Sequence, residues 1–150
     1  MRASTILLEV LGGIILGCAM IYFHIGPGFP PKPPAYTPQY RDQLRVSYLN
    51  QISSGLQQYY HQYHNLPVSL STTPEQICTS AGAGCVANHL ADLSFLTTGG
   101  DFIIGIPHDP NGGHVQLGSG FYIQEASSNR LLLTAPEAEV HKPISATVNL

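Results

Sequence analysis

His108 and Asp109 are adjacent in the segment IIGIPHDPNGG (103–113), and a histidine beside a carboxylate can act as a general base. Such a pair needs a nucleophile that both side chains can approach, and neighbours on a turn rarely converge on one proton. The tetrapeptide Asp-Pro-Asn-Gly (109–112) is typical of a β-turn, because its proline presets φ and its glycine accepts a positive φ. We therefore predict that Pro107 ends a strand, that a turn follows, and that the His-Asp pair is not catalytic.

Asp101, Asp109 and Asn111 offer hard oxygen atoms in or near this turn, and such atoms suit calcium. Calcium takes about six to eight oxygen ligands, so these residues make calcium a candidate and no more. No other cofactor is indicated. The seven histidines of the chain are scattered, and neither Gly-x-Ser-x-Gly nor a zinc-spaced set of ligands occurs. We predict that the protein is not an enzyme.

Cys78 and Cys85 are the only cysteines outside the apolar N-terminal segment, and the Ala-Gly-Ala-Gly sequence between them permits a tight return of the chain. In an oxidising compartment such a pair forms a disulfide. A metal site would need further ligands at suitable spacing, and His89 alone does not supply them. We predict a Cys78–Cys85 disulfide and, with it, an extracytoplasmic location.

Apolar residues at spacings of three and four predict one amphipathic helix from Tyr40 to about His64, closed by Asn65 and Pro67. Its tyrosines could form an aromatic recognition surface, but core packing with hydroxyls at the rim is the favoured interpretation. The apolar stripe consists of Val46, Leu49, Ile52, Leu56, Tyr59, Tyr60 and Tyr63, and the opposite, polar side carries Arg45, Gln51, Gln58 and Gln62.

The hydrophobic period shortens after this helix. Residues 87–96, with leucine at every third position towards their end, predict a short helix. Short segments rich in Ile, Val, Leu, Phe and Tyr predict strands, with a hairpin at ASSN (126–129): DFIIGI (101–106), HVQL (114–117), GFYIQE (120–125) and NRLLLTA (129–135). We predict an α+β fold, in which one long amphipathic helix packs on a small antiparallel β-sheet.

Thr5–Phe23 contains nineteen residues and one charge, that of Glu9. A helix of this length spans roughly 28 Å, close to the hydrocarbon thickness of a bilayer. We predict a single-pass transmembrane anchor over residues 1–25, with a cytoplasmic N-terminus because Arg2 precedes it. A cleaved signal is disfavoured because the apolar run continues too far, and lipidation of Cys18, which follows Ile-Leu-Gly, is a further alternative.

Residues 26–39 are rich in proline, which cannot continue an α-helix, and they predict a stiff linker. The remaining residues, 40–150, are enough for one extracytoplasmic domain. The net charge is −3 and charged residues make up 10% of the chain, so no basic footprint for nucleic acid is present. The partner that the sequence indicates is the membrane.

The order of these parts resembles the type IV pilins and the type II secretion pseudopilins. The resemblance covers about Arg41 to Glu139 and implies a pilin-like domain in a non-enzymatic structural or adhesive subunit. Such a subunit associates with its own copies, with other pilin-like subunits or with a membrane assembly platform. The features that carry it are LNQISSGLQQYYHQYHNLPVSL (49–70), the disulfide-spaced loop, the Ile-Pro-His-Asp-Pro turn (106–110), the Gly-Ser-Gly-Phe-Tyr strand (118–122) and Ala-Pro-Glu-Ala-Glu (135–139).

In that family a glutamate at the fifth mature position registers subunits within the membrane, and Glu9 resembles it. A lone carboxyl in hydrocarbon is costly and suggests a partner or protonation. An interfacial residue near Arg2 is the other interpretation. The resemblance places a processing junction at Ser4–Thr5, where the family usually has Gly before Phe.

The proline-rich linker also departs from the continuous helix of the family. This departure favours an alternative function, a membrane-tethered extracytoplasmic module that binds or senses and does not polymerise.

Overall fold

The computed structural model describes residues 37–80, 83–112, 116–140 and 142–150. A long helix is followed by a four-stranded antiparallel sheet in the order β1-β2-β3-β4. The predicted α+β class, with one long helix and a small antiparallel sheet, is confirmed. The elements are α1 (Pro38–Tyr63), β1 (Glu75–Cys78), α2 (Ala83–Ala87), β2 (Gly118–Ser127), β3 (Arg130–Ala135) and β4 (Ile144–Asn149), with 3-10 turns at Ser94–Leu96 and Thr98–Gly100.

Helix α1 begins at a side-chain cap. Thr37 has an extended backbone, and its hydroxyl accepts a hydrogen bond from the backbone N–H of Tyr40 at 3.2 Å. Pro38 follows at the first helical position, where its missing N–H is not needed. The helix therefore starts two residues before the predicted Tyr40. It ends at His64, whose left-handed backbone (φ 55°) and N–H bond to the Tyr60 carbonyl at 2.7 Å close the last turn.

The buried face of α1 includes Leu49, Ile52 and Leu56, as predicted. The same face continues towards the N-terminus through Asp42 and Arg45, at spacings of three and four residues. The predicted placement of Arg45 on the solvent side is therefore wrong. Val46, one position further along the helix, is 46% exposed instead of buried, and Tyr63 is 49% exposed.

The β2–β3 hairpin lies at the predicted ASSN segment, with Ser127 paired to Arg130. Alternate side chains of both strands are buried, and they pack with the apolar face of α1 in one core. Phe121 contacts Tyr48 of α1 edge-on, with ring centroids 6.1 Å apart. The core members from these elements are Leu49, Ile52, Leu56, Phe121, Ile123, Leu131, Leu133 and Ala135.

The predicted strand at residues 101–106 is wrong, because this segment is a loop. Ile103 and Ile106 reach the core at a spacing of three, whereas Ile104 is 94% exposed. Residues 116 and 117, the described end of the predicted strand at 114–117, form a turn. The predicted helix at 87–96 is replaced by α2 and a 3-10 turn. Strands β1 and β4 were not predicted, although Ile144, Ala146 and Val148 alternate along β4.

In the part of the chain that the structure describes, no helix is both long and apolar enough to span a bilayer. The predicted anchor at residues 1–25 lies outside the described residues, and so do Ser4, Thr5, Glu9 and Cys18. The same holds for residues 26–36 of the predicted linker.

Gly55 allows the loop after the 3-10 turns to pack closely on α1. A Cβ atom at this position would lie 3.0 Å from Cγ2 of Ile103. Alanine within a helix is normally about 1 kcal/mol better than glycine, but crowding in a packed core costs about 1–3 kcal/mol. We therefore expect Gly55→Ala to lose the usual gain and to lower the free energy of unfolding by about 0–2 kcal/mol in urea denaturation.

Ser54→Ala is the control for this change, because Ser54 is exposed at the neighbouring position of the same helix. It should leave the free energy of unfolding unchanged or raise it by a few tenths of a kcal/mol. A gain of about 1 kcal/mol from Gly55→Ala would contradict the close approach of Ile103.

Candidate functional site

The segment around His108 and Asp109 is the predicted turn. The backbone N–H of Gly112 donates to the Asp109 carbonyl at 3.1 Å, and Gly112 has a positive φ of 71°. The N–H of Asn111 also donates to Oδ1 of Asp109 at 2.9 Å. His108 is exposed, whereas the Asp109 side chain is fully buried and faces helix α1. Both oxygens of this carboxylate accept hydrogen bonds from Arg45.

Arg45 is the centre of a buried ionic network. Its side chain is inaccessible to solvent, and it makes a two-pronged contact with Asp109: Nε donates to Oδ2 at 2.7 Å and Nη2 donates to Oδ1 at 2.9 Å. Nη1 donates to Asp42 at 2.8 Å and to Glu139 at 3.1 Å. The planar guanidinium thus binds three carboxylates, which a lysine ammonium could not match in this geometry.

Asp42 and Glu139 connect this network to the chain after β3. Asp42 accepts hydrogen bonds from the backbone N–H groups of Glu139 at 3.0 Å and Val140 at 2.8 Å. Glu139 is also bound by Arg41, whose Nε donates at 2.7 Å, and by the amide of Asn111 at 3.0 Å. The ionic network, formed by Arg41, Asp42, Arg45, Asp109, Asn111 and Glu139, therefore joins the first turns of α1 to two distant loops.

The network shifts the pKa values of three of its members, Glu139, Arg45 and Arg41. Hydrogen bonds from Arg41, and then from Arg45 and Asn111, lower the pKa of Glu139 from 4.5 to about 2 despite partial desolvation. Hydrogen bonds to Asp109 first, and then to Glu139 and Asp42, raise the pKa of Arg45. Its hydrogen bond to Glu139 likewise raises the pKa of Arg41. At neutral pH Glu139 and the two arginines are therefore charged and bound to one another, which is the arrangement of a structural network.

Asp101, Asp109 and Asn111 do not form a common calcium site. Both carboxylate oxygens of Asp109 are bound by Arg45, near the start of α1. Asp101 lines the same cleft as Gln58, and Gln58 lies thirteen positions after Arg45, which is about 20 Å along a helix. Within the described residues, no group of three or more His, Cys, Asp or Glu side chains is placed to hold a metal ion.

The predicted pairing of Cys78 with Cys85 is confirmed. Their sulfur atoms lie at bonding distance, 2.10 Å, and the Cα atoms are 5.8 Å apart. Both residues are buried and form a small second cluster with Leu90, against which Leu117 packs. The disulfide thus joins the end of β1 to helix α2 outside the main core.

Two tyrosines of α1, Tyr59 and Tyr63, form an aromatic cluster with Phe95 and Phe102. Tyr59 contacts Phe95 and Tyr63 at centroid distances of 4.6 Å and Phe102 at 5.2 Å. These contacts confirm the expected packing role of Tyr59, while Tyr63 stays half-exposed at the rim. Beside this cluster, an open cleft of about 850 Å³ lies between the last turns of α1 and residues 101–102.

Sequence patterns did not indicate Arg41, Asp42 or Glu139 as members of the network, and they placed Arg45 on the solvent side of the helix. A signal for two of its members was present, because Asp42 and Arg45 extend the 49-52-56 spacing by about two further turns. Charged residues in such positions are normally assigned to solvent, since burying an unpaired charge is costly. Here the partners come from residues 64 and 98 positions away in the chain, which helical periodicity cannot reveal.

The lowered pKa of Glu139 predicts a pH-dependent stability. Because the folded-state pKa of about 2 lies below the free value of 4.5, the contribution of Glu139 is fully present above pH 4.5 and is lost as pH falls towards 2. We expect Glu139→Gln to be less stable than the wild type at pH 7, with a difference that shrinks between pH 4.5 and 2. Urea denaturation across this range measures it.

Glu137→Gln is the matched control, because Glu137 is exposed and lies outside the ionic network. Its stability difference from the wild type should be small and should not follow the same pH profile. A Glu139→Gln difference that is constant between pH 7 and pH 2 would contradict the ionic role of Glu139.

No protein-family model matches this chain, and the searches of curated proteins and of solved structures gave no match either.

Proposed function

We propose that this chain is a non-enzymatic, membrane-anchored subunit with a pilin-like extracytoplasmic domain, structural or adhesive in role. Such a subunit belongs to a type IV pilus or to an apparatus of the type II secretion kind. The observation that carries the proposal is the ionic network at the start of α1. The domain begins at the first turns of α1, directly after the N-terminal segment. The network binds these turns to the rest of the domain.

A domain on a tether receives any pulling force at its first helical turns. Arg41, Asp42 and Arg45 lie in these turns and are bound to residues 109, 111 and 139–140. Unravelling α1 from its N-terminus would expose buried charges and break several charge-assisted hydrogen bonds together. Resistance of α1 to unfolding under a pulling force suits a subunit that must keep its contacts while it is pulled. A catalytic site has no evident need of it.

Two further observations support the proposal. A long helix precedes a four-stranded antiparallel sheet and packs on it, which agrees with the arrangement that the resemblance to pilins implies. The Cys78–Cys85 disulfide is suited to an oxidising, extracytoplasmic space. The apolar segment Thr5–Phe23 supplies the anchor in this proposal.

A second candidate is a membrane-tethered module that binds or senses and does not polymerise. The start of α1 favours it, because Thr37 caps the helix and Pro38 occupies its first position. Helix α1 therefore has an N-cap of its own, directly after the proline-rich part of the sequence. Filaments of the pilin kind stack on one continuous helix, which this chain would have to replace by another arrangement.

Crosslinking within the apolar segment separates the two candidates. A Leu11→Cys, Cys18→Ala chain is expressed in cells, and disulfide crosslinking is induced in isolated membranes. A disulfide-linked dimer, the largest adduct that one free thiol per chain can form, supports the assembling subunit, whereas monomer alone supports the tethered module. Cys18→Ala without Leu11→Cys is the control and should give no adducts.

Cell fractionation tests the anchor in both candidates. A chain that lacks Arg2–Phe23 should no longer fractionate with membranes. Unchanged membrane association of this chain would refute the anchor, whichever way the crosslinking turns out. Mass spectrometry of the mature N-terminus then distinguishes a retained anchor from cleavage at Ser4–Thr5 and from lipidation at Cys18.

A further inference from the structure

The open cleft of about 850 Å³ has one wall of helix and one wall of loop. The helical wall lies in the last two turns of α1, where positions i, i+1, i+4 and i+5 share one face. The loop wall follows the second 3-10 turn. Of the described residues, those that line the cleft are Gln57, Gln58, His61, Gln62, Asp101 and Phe102.

Close packing beneath the cleft sets the position of the loop wall. Gly55 lets the loop approach α1, since a Cβ atom there would meet Ile103 and Phe102. The Phe102 ring packs edge-on against Tyr59 at 5.2 Å and Tyr63 at 6.3 Å. The side chains of the two walls are therefore carried by backbone that is held in place before any ligand arrives, which lowers the cost of binding.

The polar groups of the cleft contrast with those of the ionic network. Among the described residues, the side chains of Gln57, Gln58, His61 and Asp101 make no hydrogen bond to the protein. Gln62 donates to the Tyr63 hydroxyl at 3.2 Å and keeps its carbonyl oxygen as an acceptor. The cleft thus concentrates uncommitted donors and acceptors beside an aromatic ring.

We propose that this cleft binds a neutral saccharide. A sugar ring presents several hydroxyls, each both donor and acceptor, which match glutamine amides and a carboxylate. It also presents an apolar face of C–H groups, which packs on an aromatic side chain such as Phe102. Convergent polar groups beside an apolar surface in a preformed concavity are the general features of a small-ligand site.

The charge of the cleft selects against other classes of ligand. Among the described residues that line it there is neither lysine nor arginine, and Asp101 carries a negative charge, so phosphates, nucleic acids and sialylated glycans are disfavoured. The helical wall presents only polar side chains, so it gives no continuous apolar surface to a lipid chain. A neutral, hydroxyl-rich ligand remains as the best match to this lining.

This inference deepens the adhesive form of the proposed function by naming a ligand class, and it concerns the domain alone. The Leu11→Cys crosslinking reports assembly, whereas sugar binding by the solubilised chain reports the cleft. The crosslinking can therefore contradict assembly without contradicting saccharide binding, and the NMR can contradict saccharide binding without contradicting assembly.

The test uses the full-length chain in a zwitterionic detergent, because glycoside detergents would compete for the site. Saturation-transfer NMR is recorded with maltotriose, chitotriose, lactose and 3′-sialyllactose. We expect transfer to the ring protons of at least one neutral oligosaccharide, and weaker binding of sialyllactose than of lactose. Asp101→Asn and Gln58→Ala should each weaken binding by about tenfold or more.

Gln51→Ala is the matched control, because Gln51 is exposed on α1 about two turns before the cleft. It should leave affinity unchanged. The proposal is overturned if none of the neutral probes binds, if sialyllactose binds as tightly as lactose, or if Gln58→Ala binds like the wild type. Near-UV circular dichroism checks that each variant is folded. Gln58 is exposed, so we expect Gln58→Ala to fold, and this variant decides the test if Asp101→Asn does not fold.

Discussion

Replacement of Arg45 by methionine is expected to lower the free energy of unfolding by about 3–5 kcal/mol. Methionine fills much of the same volume, so the loss comes from charge. Without the guanidinium, Asp109 keeps a carboxylate that is fully buried and Asp42 keeps one that is nearly so. Removing one partner of a buried ion pair is costly because the remaining charge stays desolvated and unpaired.

Urea denaturation at pH 7 measures this effect, and three further variants sharpen it. Arg45→Lys keeps the charge but loses the two-pronged geometry, so its loss should be intermediate. Arg45→Met with Asp109→Leu removes both charges of the closest pair and should recover part of the stability. Arg130→Met, at an exposed position of β3, is the control and should change stability by no more than about 0.5 kcal/mol.

A loss below about 1 kcal/mol for Arg45→Met would contradict the network as the fastening of α1. The proposed function would lose its main support with that result. If the double variant recovered no stability, the network itself would not be contradicted. Asp42 and Glu139 also contact the Arg45 guanidinium and would still lack its charge.

Removal of the disulfide is expected to have the second largest effect. Cys78→Ala with Cys85→Ala should lower the free energy of unfolding by about 2.5 kcal/mol, the chain-entropy value for a loop of about eight residues. Both cysteines are buried and close a loop between β1 and α2. Without the crosslink the unfolded chain has more accessible conformations, and this entropy shifts the folding equilibrium towards the unfolded state.

Comparison of oxidised and reduced protein provides the control. Dithiothreitol should lower the urea midpoint of the wild type and leave that of the double variant unchanged. The redox state in the native host can be read separately by alkylation under denaturing conditions. A mature chain that retains unmodified Cys18 should show one alkylated cysteine before reduction and three after it, whereas three before reduction would refute the oxidising compartment.

The local sequence pattern was sufficient to predict helix α1 and the β2–β3 hairpin. The spacing of Leu49, Ile52 and Leu56 and the alternation around Phe121 and Leu133 are properties of neighbouring residues, which backbone geometry alone turns into faces. Turn chemistry in Asp109–Gly112 and the distance between Cys78 and Cys85 are local in the same sense. Each of these predictions is confirmed.

The errors arose where long-range contacts outweigh local preference. Residues 101–106 have the composition of a strand, but Ile103 and Ile106 are drawn into the core from a loop that packs on Gly55. Strand β4 forms because it pairs with β3 along its length, from Arg130↔Asn149 to Ala135↔Ile144. Neither outcome is encoded within a window of ten residues.

From its sequence this chain could be recognised as a long helix followed by antiparallel strands, with one disulfide and no catalytic motif. Folding alone brought Arg41, Asp42 and Arg45 of the helix against Asp109 and Glu139, and it made these residues one partly buried ionic network. The physical reason is that a charge can be buried only when its partners surround it, and those partners are contributed by distant parts of the chain.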